Sequence, residues 1–161
     1  HRAGGPILSM PYTRATFPTR VNMAEVFSWS VRVYWEDTDA GGVVFYANYL
    51  KFFERARTEW LRALGVEQGA LREDTGAIFV VADLQLRYLA SAKLDDSLRI
   101  TVGVVEHGAA SMVLTQQAWR GASLLCEGTV RVGCVSAETL RPQRMPQSVR
   151  AVLVGGGTGT R

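Results

Sequence analysis

The sequence predicts an α+β domain in which a sheet of about five antiparallel strands embraces one long helix. Three observations carry this. Tyr49, Phe52, Phe53, Ala56, Trp60, Ala63 and Leu64 recur at the spacing of one helical face. Downstream, successive segments alternate apolar and polar residues with the period of two that a half-buried strand requires. The connections between those segments are short, which favours antiparallel neighbours.

Residues 28 to 36 are rich in Val, Tyr and Trp and read as a first, edge-capable strand. The helix begins near Tyr49 and is stopped by Gly65. Leu50 and Leu61 widen its apolar face to about half the circumference, so a curved sheet suits it better than a flat one. A long strand follows, with Ile78, Val80, Ala82, Leu84, Leu86 and Tyr88 opposed to Asp83, Gln85 and Arg87. Leu98, Ile100, Val102 and Val104 repeat the pattern. After a turn at Gly108, so do Met112, Leu114, Gln116 and Ala118. Gly121-Ala122 joins these to a last strand from about Leu124 to Val135.

The domain is expected to span 27–147. Residues 1–26 hold Gly4-Gly5-Pro6, Pro11 and Pro18 with no sustained period, and are read as an N-terminal extension, disordered or artificial in origin. Residues 148–161 end in Gly155-Gly156-Gly157-Thr158-Gly159 and are read as a flexible tail.

At 161 residues and 47% hydrophobic, the chain can bury one proper core and not two. It contains no run approaching the roughly 18 apolar residues of a membrane span, and no charged n-region followed by an apolar h-region. A cytoplasmic protein without a membrane span is the expectation. The formal charge of +3 and pI near 9.1 suit a nucleotide-bearing ligand. Lys and Arg nevertheless form no run of five, and no aromatic-and-basic platform appears, so nucleic acid is not an expected partner. Cys126 and Cys134 fall within one strand, about 26 Å apart when extended, and cannot pair within one subunit. Reduced, packed thiols fit the cytosol. His107 is the only His besides His1, and no metal site is expected.

The run from Tyr34 to Tyr46 sets Glu36, Asp37 and Asp39 and the pair Gly41-Gly42 immediately before the helix. A helix start offers unpaired backbone N–H groups and a positive dipole end, which suit an oxygen carrying developing negative charge. A carboxylate aimed at the same spot completes a minimal acyl-transfer site.

These residues resemble the hotdog-fold acyl-CoA thioesterases of the 4-hydroxybenzoyl-CoA thioesterase family, including its Tol–Pal-associated (YbgC-like) branch. The similarity runs from about Trp29 to Pro146. It includes Arg32-Val33, Asp37-Thr38-Asp39-Ala40-Gly41-Gly42-Val43-Val44, the helix segment Phe53-Glu54-Arg55-Ala56-Arg57 and Tyr88-Leu89. It continues through Ala92-Lys93-Leu94-Asp95-Asp96 to Arg141-Pro142 and Met145-Pro146. The resemblance implies that Asp39 is catalytic, as nucleophile or general base, and that the backbone N–H of Tyr46 polarises the thioester carbonyl. The Tol–Pal-associated branch usually carries His at that position, whereas Tyr46 matches the hydroxybenzoyl branch. Val44, Phe45 and Asn48, with Arg87, Ser91 and Lys93 after the long strand, are the expected substrate contacts. Many relatives have Pro where Ser91 stands. Coenzyme A enters only as part of the substrate, with no further cofactor. A homodimer or homotetramer is expected, with acyl carrier protein as a further possible partner.

Other roles are open to the same residues. Asp before Gly also stabilises bends, so Asp39 has a structural reading as well. Asp37 and Glu36 are read as structural, Asn48 as a helix cap, Glu54 as the ion-pair partner of Arg57, and His107 as a solvated turn residue. The alternatives to hydrolysis are a hotdog hydratase or dehydratase, and a non-catalytic protein binding acyl carrier protein or envelope-biogenesis partners.

Overall fold

The computed structural model describes residues 26–155. The expected extension up to residue 25 and the last six residues of the expected tail lie outside them. Five strands form one sheet: β1 Phe27–Arg32, β2 Ala77–Tyr88, β3 Ser97–His107, β4 Ser111–Arg120 and β5 Ser123–Ser136. The helices are α1 Asn48–Ala63, α2 Gln68–Thr75 and α3 Gln147–Gly155. The strand order is β1-β3-β4-β5-β2, with every pair antiparallel. β3, β4 and β5 are joined by tight turns and pair in succession. β2 does not pair with its successor: residues 89–96 carry the chain to the far side of the sheet, leaving β2 as an edge beside β5.

α1 lies chiefly over β3 and β1. Its buried residues Tyr49, Phe52, Phe53, Ala56, Trp60 and Leu61 meet Leu98, Ile100, Val102, Met112 and Leu114 of the sheet. Leu50, Ala63 and Leu64 fall outside that face and are exposed, so the buried stripe is narrower than the composition suggests. Gly65 ends the helix in the left-handed region at φ 87°. The Gly65 N–H donates to Arg62 and the Val66 N–H to Leu61, a Schellman arrangement closed by the apolar Leu61–Val66 pair.

Four local expectations are corrected. β1 stops at Arg32 rather than 36, because Asp37 captures the Tyr34 N–H on Oδ2 at 2.8 Å and folds Trp35–Asp37 into a 3₁₀ turn. β2 has the expected length, but Val80 and Ala82 are exposed, as an edge strand with one neighbour allows. Residues 148–155 are helical rather than a loose tail: α3 buries Val149 and Leu153, four apart, against the core. Arg57 does not pair with Glu54. It reaches Gln116 instead, and Glu54 accepts from the Thr58 hydroxyl.

Cys126 and Cys134 are free and buried. Burial, with the neighbouring Glu127 charge adding to it, pushes the Cys126 thiol up to about 12. Among the described residues no helix is long and apolar enough to cross a membrane.

Candidate active site at the start of the long helix

The acidic run folds as a tight turn sealed by its own polar groups. The Asp39 N–H donates to the Val43 carbonyl at 2.9 Å, and the Gly42 N–H returns to the Asp39 carbonyl at 3.0 Å. The Gly41 N–H donates to Asp39 Oδ1 at 2.8 Å, an Asx turn that fixes the carboxylate's orientation. Gly42 sits at φ 79°, where a side chain is strained. The turn is anchored to the segment after β2 by a Val43–Lys93 bridge and by the Val44 N–H donating to Ala92 at 2.9 Å.

Asp37 is buried and structural, as expected. Its carbonyl accepts from the Phe45 N–H at 2.9 Å and from Asn48 Nδ2 at 2.8 Å. Asn48 is therefore not a cap: it is the first residue of α1, Ala47 occupies the cap position, and the Asn48 amide ties the helix back to the acidic run. Glu36 is exposed.

A cleft of about 340 Å³ opens where this turn meets the helix. It is lined by Asp39, Val43, Val44, Tyr46, Tyr49, Tyr88, Leu89, Ala90 and Ser91. The N–H groups of Gly41, Gly42, Val44 and Phe45 have acceptors, whereas at the helix start those of Tyr46 and Ala47 have none among the described residues. The Tyr46 carbonyl accepts from the Tyr88 hydroxyl at 2.7 Å. Tyr49, deeper in the helix, accepts from the Ala92 N–H on its hydroxyl at 3.2 Å. Burial raises the phenol pKa of both Tyr49 and Tyr88, so both stay protonated donors near neutral pH.

An unspent backbone donor at a helix start beside an oriented carboxylate is an arrangement that can serve acyl transfer to water. A model of the Thioesterase-like superfamily matches residues 33–153, which covers the turn, the cleft and nearly the whole described domain. The chain belongs to this superfamily. Its fold is the hotdog fold, an antiparallel sheet of five strands about a long helix.

Relatives of this thioesterase-like chain cover it broadly. It is 46% identical over 127 residues to "Acyl-CoA thioesterase YbgC" of Haemophilus influenzae, spanning 79% of this chain and 93% of that one. It is 32% identical over 131 residues to the Helicobacter pylori protein of the same name, spanning 76% and 96%. Among solved structures, a probable thioesterase from Bartonella henselae superposes with a TM-score of 0.71 at 32% identity, covering 75% of this chain and 99% of that one.

Of the residues expected at the site of this superfamily member, the cleft brings together Asp39, Tyr46, Val44 and Ser91. Four do not line it. Phe45 is partly exposed and packs its ring on Tyr46 at 4.7 Å. Asn48 is spent on Asp37, as above. Arg87 faces Glu127 across the β2–β5 ladder and forms an ion pair with it, Glu127 also accepting from Gln117. Lys93 is exposed, and its N–H donates to Asp96. Tyr49, Tyr88, Leu89 and Ala90 also line the cleft and are not among the expected contacts, because helical and strand periodicity marks Tyr49 and Tyr88 as core. Their hydroxyls are the signal that a fully apolar role leaves unexplained. Among the described residues no group of three or more His, Cys, Asp and Glu side chains is placed to hold a metal ion, and His107 is exposed at the end of β3.

Proposed function

We propose that this chain hydrolyses acyl-CoA thioesters to a free acid and CoA, with Asp39 as nucleophile or general base and the Tyr46 N–H receiving the oxyanion. The observation that carries the reading is the sharing of one cleft by Asp39 and Tyr46 beside a backbone donor with no acceptor. A thioester carbonyl is less resonance-stabilised than an ester, so an aimed oxygen nucleophile and an oxyanion donor suffice without a metal.

Two routes balance. In one, an Asp39 oxygen attacks the carbonyl carbon, the carbon–sulfur bond breaks, and the CoA thiolate takes a proton. Water then cleaves the mixed anhydride and restores the carboxylate. In the other, Asp39 takes a proton from water as the resulting hydroxide attacks, and that proton passes to the departing sulfur. Both place negative charge on the carbonyl oxygen, where loss of one donor in comparable chemistry costs roughly 3 to 4 kcal/mol.

The chain acts as a homodimer or homotetramer in this reading, supported by the open edge of β2. Its compartment is the cytoplasm, where buried reduced thiols persist. Acyl carrier protein is a second possible carrier of the acyl group.

The test is release of free thiol from a panel of short, long and aromatic acyl-CoAs. Asp39→Asn keeps an oxygen to accept the Gly41 N–H, so it should retain the melting midpoint while losing about 10²-fold or more in kcat. Undiminished turnover in that variant removes Asp39 from the chemistry. Binding of acyl-CoA without turnover by the parent protein favours a non-catalytic carrier role instead.

A further inference from the structure

Tyr88 is the last residue of β2, and its ring reaches across the cleft to the start of α1. It lies edge-on to Tyr46 at 6.4 Å and to Tyr49 at 5.7 Å, and its hydroxyl donates to the Tyr46 carbonyl at 2.7 Å. In a regular helix that carbonyl would take the N–H four residues on. Here the Leu50 N–H donates to Ala47 at 3.1 Å, a tightened first turn that leaves the Tyr46 carbonyl to the phenol. On the other side of Tyr46, the Phe45 N–H is held by Asp37, and the Phe45 carbonyl accepts from Asn48 at 2.8 Å. The peptide planes on both sides of Tyr46 are therefore clamped: the Phe45–Tyr46 plane, which carries the Tyr46 N–H, by the Asn48 N–H, and the Tyr46–Ala47 plane by Tyr88.

We propose that Tyr88 is a positioning residue for thioester hydrolysis: its hydroxyl holds the Tyr46–Ala47 peptide plane through the Tyr46 carbonyl, which limits rotation about Tyr46 and so steadies the helix start that presents the Tyr46 N–H to the substrate's carbonyl oxygen. The inference rests on the hydrolytic reading above. A donor held in place before charge develops needs no reorganisation during the reaction, so the brace affects the transition state more than substrate capture. Tyr88 itself touches the backbone rather than the reacting atoms.

Tyr88→Phe keeps the ring and its edge-on contacts and deletes one hydroxyl, and the exposed Tyr46 backbone can turn to water. Folding should be nearly intact, with a melting midpoint within about 3 °C of the parent. The expected result is a fall in kcat of about three- to tenfold, the size of one neutral hydrogen bond, with KM within about twofold. Two CoA ligands that are not hydrolysed separate positioning from cleft shape. A CoA thioether, which lacks the carbonyl, should bind parent and variant alike. A trifluoromethyl ketone in place of the thioester, which takes up a nucleophile to give a tetrahedral oxyanion, should bind the variant about three- to tenfold more weakly.

An unchanged kcat, or equal weakening of both ligands, overturns the role of Tyr88 while leaving hydrolysis by this chain intact. Absence of thiol release by the parent overturns hydrolysis and this inference together.

Discussion

Arg57 of α1 donates from its guanidinium to Oε1 of Gln116 on β4 at 2.9 Å, and the amide nitrogen of that fully buried Gln116 donates back to the Phe53 carbonyl at 3.0 Å. A second, longer bond from the same nitrogen reaches Thr101 at 3.3 Å. One glutamine thus fastens the middle of the helix to the sheet in an otherwise apolar layer. Burial pushes the Arg57 guanidinium pKa down, and the charge of Glu54 offsets part of that.

Gln116→Leu should therefore destabilise the protein by about 1 to 3 kcal/mol, since it leaves a desolvated cation without its acceptor. Adding Arg57→Met should restore much of that loss, because removing both partners leaves no polar group stranded. Denaturant unfolding of the two single variants and the double variant measures this. Strictly additive losses would show that the bond contributes nothing specific.

The paired glycines of the turn should separate activity from stability. A Cβ on Gly41 would lie 3.0 Å from Asp39 Oδ1, so Gly41→Ala displaces the carboxylate and should lower kcat by about tenfold with a small change in melting midpoint. A Cβ on Gly42 meets nothing within 4 Å, but the residue sits at φ 79°. Gly42→Ala should cost about 1 to 2 kcal/mol of stability through backbone strain. Steady-state kinetics and thermal melts on both variants check the split, and identical behaviour of the two would refute it.

How much of this was legible depended on whether a residue's role is set locally. The heptad-like run through Phe52, Phe53, Ala56 and Trp60 declares α1, because its partner is any apolar surface. Asp39 with Gly41 and Gly42 declares the turn, because an Asx turn and a left-handed glycine are sequence-local devices. Arg57 misleads for the opposite reason: the sequence offers Glu54 three positions back, while the fold supplies Gln116 from 59 positions on. α2 buries only Leu71, too little to show a period, although Gly76 in the left-handed region marks its end. α3 was readable from Val149 and Leu153 four apart behind Pro146, but the glycines that follow concealed it. Arg87 sits on a strand whose neighbour, and hence whose counter-ion Glu127, only the topology decides.

Asp96 ties the cleft's outer wall to the sheet and should give the protein an acid-sensitive element. Arg120 donates to Asp96 at 2.8 Å and to the Ser91 carbonyl at 3.1 Å, and the Lys93 N–H donates to Asp96 at 2.9 Å. Burial alone would raise the Asp96 pKa, but these hydrogen bonds and the charges of Arg120 and Lys93 outweigh it and leave it below its ordinary value of 3.8. A carboxylate depressed in the folded state contributes stability that is complete above its unfolded pKa and is lost as the pH falls through the folded one. Asp96→Asn should accordingly melt below the parent near neutral pH, and the two curves should converge as the pH falls from about 5 toward about 2. A gap that stays constant across that range would rule out the linkage.

The outer edge of β2 should be where two copies meet. Among the described residues only β5 lies beside this strand, so backbone donors and acceptors along its other side have no sheet partner there, and Val80 and Val81 stand 36% and 50% exposed. Such an edge is a template for another strand, and covering it removes both apolar exposure and the risk of uncontrolled pairing. A register shift between Val81 and Asp83 sets a bulge at the middle of the edge, which limits which partners fit. A second copy approaching about a two-fold axis would present the same bulge and the same valines, as a closed dimer requires. Val81→Lys should therefore shift the protein toward monomer in sedimentation velocity at micromolar concentration. The site lies close to this strand's end, with Tyr88 and Leu89 in the cleft wall, so the same variant should lose activity as it dissociates. A parent protein that sediments as a monomer at every concentration, or a variant that remains dimeric, would exclude the β2 edge as the contact.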